Sequence, residues 1–238
     1  MLTKIQDLVK EGKLRLVLAV GVPRGGTTVF QRILTESPDI TVQLDEPFYY
    51  KENGFNKGLA NILKRYKEFS STKDSKPITL LVQEMANSLN HQEWDELLKL
   101  SYGCIVLIRD MHRTCESLVI RTINDSIAKG LDTFVQLEVE QKLLFATKQL
   151  LDTTRYVKGS FSKTSWKALG EFIQYAEKHK SHIKFAFVDS DFLIIDTENI
   201  LRDLAEKLEI SYVNSMLQGW GKTSKNFWVN PEKDARHC

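Results

Sequence analysis

The stretch LRLVLAVGVPRGGTTVFQRIL, residues 14–34, constrains the possible folds of this chain more than any other part of its sequence. It opens with an almost unbroken hydrophobic run, Leu14–Val22, which is typical of a strand buried on both faces of a parallel sheet. Apolar side chains then recur at helical spacing over Thr27–Glu36, and Pro38 follows. A buried strand that runs through a glycine-rich turn directly into a helix predicts an open α/β sheet.

Similar apolar runs alternate with helical patterns along the rest of the chain. We predict strands at Leu14–Val22, Ile40–Leu44, Ile78–Val82, Cys104–Ile108 and Ile183–Val188. We predict helices at residues 1–13, Thr27–Glu36, Phe55–Phe69, Glu93–Leu100, Thr114–Ala128, Thr133–Val157, Ser165–Lys180 and Thr197–Leu208. This alternation indicates a three-layer α/β architecture, an open parallel sheet of about five strands flanked by helices. The stretch with linker composition, residues 70–77, is short, so we expect one domain over residues 1–238.

Charge, hydropathy and cysteine content bear on the partners and the location that we expect for this protein. The 33 basic and 31 acidic residues leave a net charge of +2, which gives no general reason to expect binding to nucleic acid or to an anionic membrane. No apolar run approaches the ~20 residues that cross a bilayer, and the N-terminal helix is too charged for a signal peptide. Cys104, Cys115 and Cys238 form neither a paired framework nor a CxxC motif. We therefore expect a cytoplasmic protein with reduced cysteines.

The turn PRGGTT follows the first strand, at the sheet edge where open α/β folds bind ligands. Gly25 and Gly26 let backbone N–H groups approach an anion, and the start of the helix adds partial positive charge. Thr27 and Thr28 offer hydroxyl donors, and Arg24 offers a forked, charged contact. Glycine pairs also occur in turns that bind nothing, but the full combination favours phosphate or a similar tetrahedral anion.

The same turn lacks the Gly-Lys-Ser/Thr ending of the commonest phosphate loop, G-x-x-x-x-G-K-[ST]. In that loop the lysine reaches the terminal phosphates and the hydroxyl holds magnesium. The sequence therefore disfavours magnesium-dependent phosphoryl transfer, and we expect no metal.

Two segments together resemble the sulfotransferases that use 3′-phosphoadenosine 5′-phosphosulfate (PAPS). GVPRGGTTVFQRILTESPDI, residues 21–40, resembles their 5′-phosphosulfate loop. CIVLIRDMHRTCESLVIR, residues 104–121, resembles their 3′-phosphate motif, a strand that ends in an arginine with a serine eight residues later on the next helix. Here these residues are Arg109 and Ser117. Taken alone, Arg109 is equally consistent with a strand-end salt bridge to Asp110 or Glu84.

A third segment, FAFVDSDFLIIDTENILRDLAEKLEI at residues 185–210, resembles the late strand, acidic turn and helix of the family. It supports the fold and suggests no chemistry of its own. The three matches cover about a quarter of the chain and are spread from near its start to near its end. The resemblance implies a sulfotransferase fold of the P-loop NTPase type.

The resemblance also implies an activity, in-line transfer of a sulfuryl group from PAPS to a hydroxyl or amine of a small-molecule acceptor, without a metal. The product nucleotide would be adenosine 3′,5′-bisphosphate (PAP). Arg24 and residues 25–28 would hold the 5′ end and steady the bridging oxygen as it leaves, a catalytic role for Arg24, while Arg109 and Ser117 would hold the 3′-phosphate. In the family a late basic loop often closes over that phosphate, and the candidates here are Lys222, Ser224 and Lys225, although the usual Arg/Lys-Gly order is not matched.

A base must take the proton of the acceptor, and two carboxylates compete for that role. Glu46, in VQLDEPFYY, follows the second strand and stands where glycosaminoglycan-type sulfotransferases place a catalytic glutamate. The aromatic residues after it would desolvate it and make it a stronger base, so Glu46 is preferred. Glu84 ends the third strand, near where cytosolic sulfotransferases have a histidine, and His91 is close in sequence. Either glutamate is also consistent with a structural carboxylate paired with an arginine or lysine.

Two alternative functions remain open. A P-loop nucleotide or nucleoside kinase would share the architecture and the strand-end arginine, but it would need the missing lysine and a metal-binding aspartate. A catalytically inactive nucleotide-binding protein would keep the fold without the chemistry.

Overall fold

A computed structural model of the chain describes residues 1–50, 52–71, 76–110, 113–114, 117, 161–221 and 227–229. Within these ranges six strands form one sheet: β1 Leu14–Gly21, β2 Val42–Asp45, β3 Ile78–Met85, β4 Ser101–Ile108, β5 Lys184–Asp189 and β6 Phe227–Val229. Their order is β5-β4-β1-β3-β2-β6, and every pairing is parallel. The predicted open parallel sheet is confirmed, and the short β6, which pairs with β2, was not predicted.

Helix α1 precedes β1, and the other described helices lie between strands in the chain. The helices are α1 Leu2–Lys10, α2 Thr27–Leu34, α3 Gly54–Ser70, α4 His91–Lys99, α5 Phe161–His179, α6 Ser190–Ile195, α7 Thr197–Leu208 and the 3-10 helix η1 Asn214–Gly221. The predicted helix Thr133–Val157 and most of Thr114–Ala128 lie outside the described residues. The short helices α6 and η1 were not predicted. Among the described residues, no helix combines the length and apolarity that a membrane crossing requires.

Strand β1 lies at the centre of the core because its side chains alternate between the two faces of the sheet. Leu16 and Leu18 pack with residues of α1, α3, α4 and α5 on one face. Val17 and Ala19 pack with α2, α7 and η1 on the other face. All four side chains are fully buried. Burying a leucine or valine stabilises the fold by about 1.5–3 kcal/mol, which explains why β1 is hydrophobic at almost every position.

Parallel pairing brings the ends of the strands to two opposite edges of the sheet. At the carboxyl edge, Gly21 of β1 lies beside Met85 of β3, and Ile108 of β4 lies beside Asp189 of β5. The segments that follow these strands therefore meet at one place. The amino edge, where the strands begin, lies on the opposite side.

Candidate functional site

The loop of residues 22–28, which we call the phosphate loop, joins β1 to α2 at the carboxyl edge. The Gly25 N–H donates to the Val22 carbonyl at 2.9 Å and closes a tight turn. A Cβ atom at Gly25 would lie 2.8 Å from that carbonyl oxygen, and one at Gly26 would lie 2.9 Å from Ser190 Oγ. Gly26 also has a φ of 86°. The shape of the loop therefore requires both glycines.

Helix α2 begins directly after the phosphate loop, with Gly26 as its N-cap residue. No side chain in the described part of the chain caps its first turn. The unpaired N–H groups of a helix start, together with its partial positive charge, attract anions. Thr27 is buried and Thr28 is half-buried within this turn. The start of α2 thus has the geometry expected of an anion-binding site.

The structure brings Arg24, Arg109 and Ser117 into contact. Arg24 Nε donates to Ser117 Oγ at 2.9 Å, across 93 residues of sequence. Arg109 Nη1 donates to the Arg24 carbonyl at 2.9 Å, across 85 residues. The residues predicted for the two ends of a nucleotide therefore meet beside the start of α2.

The carboxylate beside Arg109 is Asp191, not Asp110 or Glu84, so both predicted partners of this salt bridge are corrected. Asp191 Oδ1 lies 3.5 Å from Arg109 Nε and 3.1 Å from Arg113 Nη1. Asp191 Oδ2 accepts the Asp110 N–H at 3.2 Å. Burial alone would raise the pKa of Asp191, but the Asp110 N–H and the two arginines lower it overall. Asp191 is therefore a charged carboxylate inside a cluster of arginines.

Glu84, at the end of β3, is fully buried and has three hydrogen-bond donors around it. Its Oε2 accepts the Phe48 N–H at 2.9 Å. Its Oε1 accepts the Met85 N–H at 3.0 Å and the Ser88 hydroxyl at 2.6 Å. Burial raises the pKa of Glu84 to about 8, the Glu46 charge adds to this, and the three donors act in the opposite direction. These donors are neutral, so they do not supply the arginine or lysine that the structural alternative predicted.

Glu46 lies one residue beyond β2 and is only 7% exposed. Its N–H donates to the Gln83 carbonyl at 2.9 Å, and its own carbonyl accepts the Tyr49 N–H at 3.2 Å. Because Phe48 is in turn bound by Glu84, the turn that carries Glu46 is fixed to β3 at several points.

Arg24 and Glu46 both have left-handed backbone, with φ of 65° and 48°. Such a conformation costs an ordinary side chain about 1–2 kcal/mol. Asn53 and Glu209 share this conformation, but Asn tolerates it and Glu209 ends helix α7, where it is common. Arg24 and Glu46 have no such local reason. Strain of this kind is concentrated at functional sites.

No family profile matches the chain, and no curated protein sequence does. Solved structures do match. The sulfotransferase domain from the curacin biosynthetic pathway is 10% identical, with a TM-score of 0.52, over 88% of this chain and 79% of that one. The sulfotransferase from Alicyclobacillus acidocaldarius is 11% identical, with a TM-score of 0.52, over 93% of this chain and 88% of that one.

The mouse sulfotransferase SULT7A1, solved in complex with PAP, is 14% identical, with a TM-score of 0.51, over 90% of this chain and 66% of that one. Three independent sulfotransferase structures thus superpose on nearly the whole chain. The chain has the sulfotransferase fold. At 10–14% identity this likeness establishes the architecture and leaves the chemistry to the residues of the site.

Several predicted residues of this sulfotransferase-fold site lie elsewhere or outside the described residues. Lys222, Ser224 and Lys225 fall in the undescribed stretch between η1 and β6. His91 begins α4 and stacks on Tyr175 of α5, with ring centroids 4.1 Å apart. In the described ranges, no group of three or more His, Cys, Asp or Glu side chains is arranged to hold a metal ion.

The aromatic residues after Glu46 have different environments. Phe48 is buried and stacks on Phe55, with ring centroids 5.8 Å apart. Tyr50 accepts a hydrogen bond from Asn61 at its hydroxyl. Tyr49 is 39% exposed, more than the half-buried Tyr50, so its ring is the most accessible of the three to a bound molecule.

Two residues of this site, Ser190 and Asp191, were not predicted from the sequence. Ser190 Oγ donates to the Gly25 carbonyl, and Asp191 contacts Arg109. A signal was present, since the acidic turn DSD follows a buried strand at the carboxyl edge. The resemblance assigned this turn only to the fold.

Proposed function

We propose that this chain is a PAPS-dependent sulfotransferase, which transfers a sulfuryl group to a hydroxyl or amine of a small-molecule acceptor. The observation that carries the proposal is the meeting of Arg24, Arg109 and Ser117 beside the uncapped start of α2. The sulfotransferase fold of the chain and the PAP complex of one structural neighbour support it.

The residues present fit a nucleotide with anions at both ends. A Cβ on Gly25 would collide with the Val22 carbonyl and one on Gly26 with Ser190, so the conformation of the phosphate loop needs both glycines. The donors here are backbone amides, hydroxyls and guanidinium groups, which suit phosphate and sulfate oxygens without a metal. The missing lysine is explained if the ligand carries no γ-phosphate.

In this proposal the phosphate loop holds the 5′ end of the donor. The first-turn amides of α2 and the hydroxyls of Thr27 and Thr28 bind its oxygens, and Arg24 stabilises the negative charge that develops as the nucleotide leaves. The donor supplies an already activated sulfuryl group. The chain therefore needs to contribute only positioning and charge stabilisation.

Arg109 and Ser117 bind the 3′-phosphate in this proposal. The contacts of Arg109 use its Nη1 and Nε atoms, and its Nη2 has no partner in the described part of the chain. A guanidinium carries five N–H donors in a fixed plane, so the remaining donors can make a charged contact with phosphate. The same motif supplies the selectivity for a 3′-phosphorylated nucleotide.

Glu46 is the proposed base, in preference to Glu84. A base must reach the proton of the acceptor, and Glu84 is fully buried with both oxygens bound by protein donors. Glu46 retains slight exposure at the carboxyl edge. Its carboxylate takes the acceptor proton while the acceptor oxygen or nitrogen bonds to sulfur. The bond between sulfur and the nucleotide oxygen breaks, and its electron pair leaves with PAP.

Isothermal titration calorimetry with PAP and with ATP plus magnesium tests the nucleotide site directly. The proposal expects tighter binding of PAP. Tighter binding of magnesium ATP would contradict it and favour a P-loop kinase.

A screen of phenols, alcohols, amines and sugars with radiolabelled PAPS then tests the activity itself. Transfer of label to any acceptor supports the enzyme. PAP binding with no transfer to any class would favour a catalytically inactive nucleotide-binding protein.

A further inference from the structure

The turn formed by Asp189, Ser190 and Asp191, which we call the β5 turn, connects the edge strand β5 to α6. Asp189 Oδ1 accepts the Asp191 N–H at 2.8 Å and the Phe192 N–H at 3.3 Å. This is the bonding pattern of an N-cap residue. The cap fixes the backbone from which the Ser190 and Asp191 side chains project.

Ser190 connects the β5 turn to the phosphate loop. Its Oγ donates to the Gly25 carbonyl, and its side chain lies against Gly26. Ser190 is 7% exposed, so this contact is buried. The loop that begins α2 is therefore braced by a residue 165 positions later in the sequence.

Asp191 connects the same turn to Arg109. Its side chain, 15% exposed, contacts Arg109 Nε at 3.5 Å and Arg113 Nη1 at 3.1 Å, and it accepts the Asp110 N–H at 3.2 Å. Arg109 is held from its other side by the Arg24 carbonyl. The guanidinium of Arg109 is thus fixed by two contacts, while its Nη2 has no partner in the described part of the chain.

We propose that Asp191 is a positioning residue for recognition of the 3′-phosphate, which orients Arg109 so that its remaining donors face the anion. This inference rests on the proposed function, because it assumes that Arg109 binds that phosphate. It assigns a role to an acidic turn that the family resemblance left without one.

Simple electrostatics predicts the opposite change in phosphate affinity when the charge of Asp191 is removed. A carboxylate near an anion site repels the anion, so removal of its charge alone would tighten phosphate binding. A carboxylate that orients the binding arginine has the reverse effect, because its removal lets the guanidinium turn away. The sign of the change in affinity therefore separates the two accounts.

The experiment replaces Asp191 with the nearly isosteric Asn and measures the affinities of PAP and of adenosine 5′-monophosphate (AMP) by calorimetry. We expect PAP to bind about tenfold more weakly or worse, since a hydrogen bond to a charged group is affected. AMP, which lacks the 3′-phosphate, should change by less than about threefold. An Asp191→Glu variant should recover part of the preference for PAP.

The matched control is Asp196→Asn, the same charge change on an exposed residue five positions later. Asp196 accepts a hydrogen bond from Asn199 and contacts neither Arg109 nor Arg113 among the described residues. The PAP affinity of the Asp196→Asn variant should equal that of the wild type. In an Arg109→Ala background, Asp191→Asn should no longer change the ratio of PAP to AMP affinity.

The outcomes distinguish this inference from the function on which it rests. If Asp191→Asn binds PAP as well as or better than the wild type, Asp191 does not position Arg109. If wild-type protein itself shows no preference for PAP over AMP, the proposed nucleotide site is wrong. Thermal melting of each variant verifies folding, and Asp191→Ser provides the same comparison if the Asn variant does not fold.

Discussion

The charged residues at the two edges of the sheet differ in how deeply they are buried. At the amino edge, Lys184 pairs with Glu209, and the Tyr102 hydroxyl donates to the same carboxylate. The Arg15 guanidinium lies 4.6 Å from the centre of the Tyr102 ring. Glu209 is exposed and the other three residues are half-buried, and each charged group contacts a group of opposite charge or an aromatic ring.

At the carboxyl edge the carboxylates are more buried than Glu209, since the side chain of Asp191 is 15% exposed and that of Glu209 is 61% exposed. Asp191 faces Arg109 and Arg113. Glu84 is fully buried, and the negative charge of Glu46 raises its pKa further. Burial of an ionisable carboxylate such as Glu84 costs stability when the group is charged, because water no longer solvates the charge. The two edges therefore differ in how deeply their carboxylates are buried, and the proposed function assigns the nucleotide and the base to the carboxyl edge.

The largest expected effect at the carboxyl edge comes from Glu46→Gln. Loss of a general base lowers turnover by about 10²–10⁴-fold, because an amide cannot accept the acceptor proton. PAP affinity should stay within about threefold of the wild type. Single-turnover assays with labelled PAPS and calorimetry with PAP measure the two quantities. Retained turnover would move the base to Glu84 or to another residue.

Glu84 provides a second test, through the pH dependence of stability. Its pKa is raised from 4.5 to about 8 by burial, so between these values the folded state keeps a proton that the unfolded state has lost. The free energy of unfolding should therefore fall as pH rises through this window. Glu84→Gln should lack this contribution and lose ~1–3 kcal/mol at pH 5 because its amide cannot satisfy every donor. The gap from the wild type should narrow by pH 8.

Urea unfolding at pH 5, 6.5 and 8 measures this effect. Glu209→Gln at the amino edge is the matched control, because Lys184 lowers the pKa of Glu209 instead. Any contribution of Glu209 is present above its unfolded pKa and is lost as pH falls, so its sign is opposite. An unchanged gap between wild type and Glu84→Gln at all three pH values would contradict a raised pKa at Glu84.

Arg109→Ala should affect one end of the nucleotide only. Loss of a charged hydrogen bond to phosphate weakens PAP binding by ~1.5–3 kcal/mol, or about 10–150-fold, and leaves AMP binding nearly unchanged. Arg202→Ala is the control, since Arg202 is an exposed arginine of α7 that pairs with Glu198. Equal losses for PAP and AMP would show that Arg109 does not discriminate the 3′-phosphate.

The sheet was predictable because its signals are local. Strands β1 and β4 are buried on both faces and read as continuous hydrophobic runs, and the predicted Thr197–Leu208 matches α7 at both ends. Strand β6 has three residues and α6 has six, too few for a periodic pattern to emerge. Both are defined by contacts with distant parts of the chain, which a window of sequence does not contain.

The features of the candidate site were likewise predictable only where their signals are local. The sequence was enough to place Arg24 and Arg109 at the carboxyl edge, because each follows a predicted strand. The contacts of Asp191 depend on the start of α6 lying beside the phosphate loop, and the environment of Glu84 depends on Phe48, 36 residues away. Sequence patterns reveal which residue types stand at the end of a strand. They do not reveal which neighbours the fold places around them.

The smallest expected effect lies at the amino edge, where Lys184→Met removes the partner of Glu209. Exposed ion pairs are screened by water and salt, so the melting temperature should fall by no more than ~3 °C. PAP affinity and turnover should remain at wild-type values, because Lys184 begins β5 at the end opposite the site. Differential scanning calorimetry and PAP titration check both expectations. A clear loss of PAP affinity in this variant would mean that the two edges are coupled through β5. The proposed restriction of PAP binding to the carboxyl edge would then no longer hold.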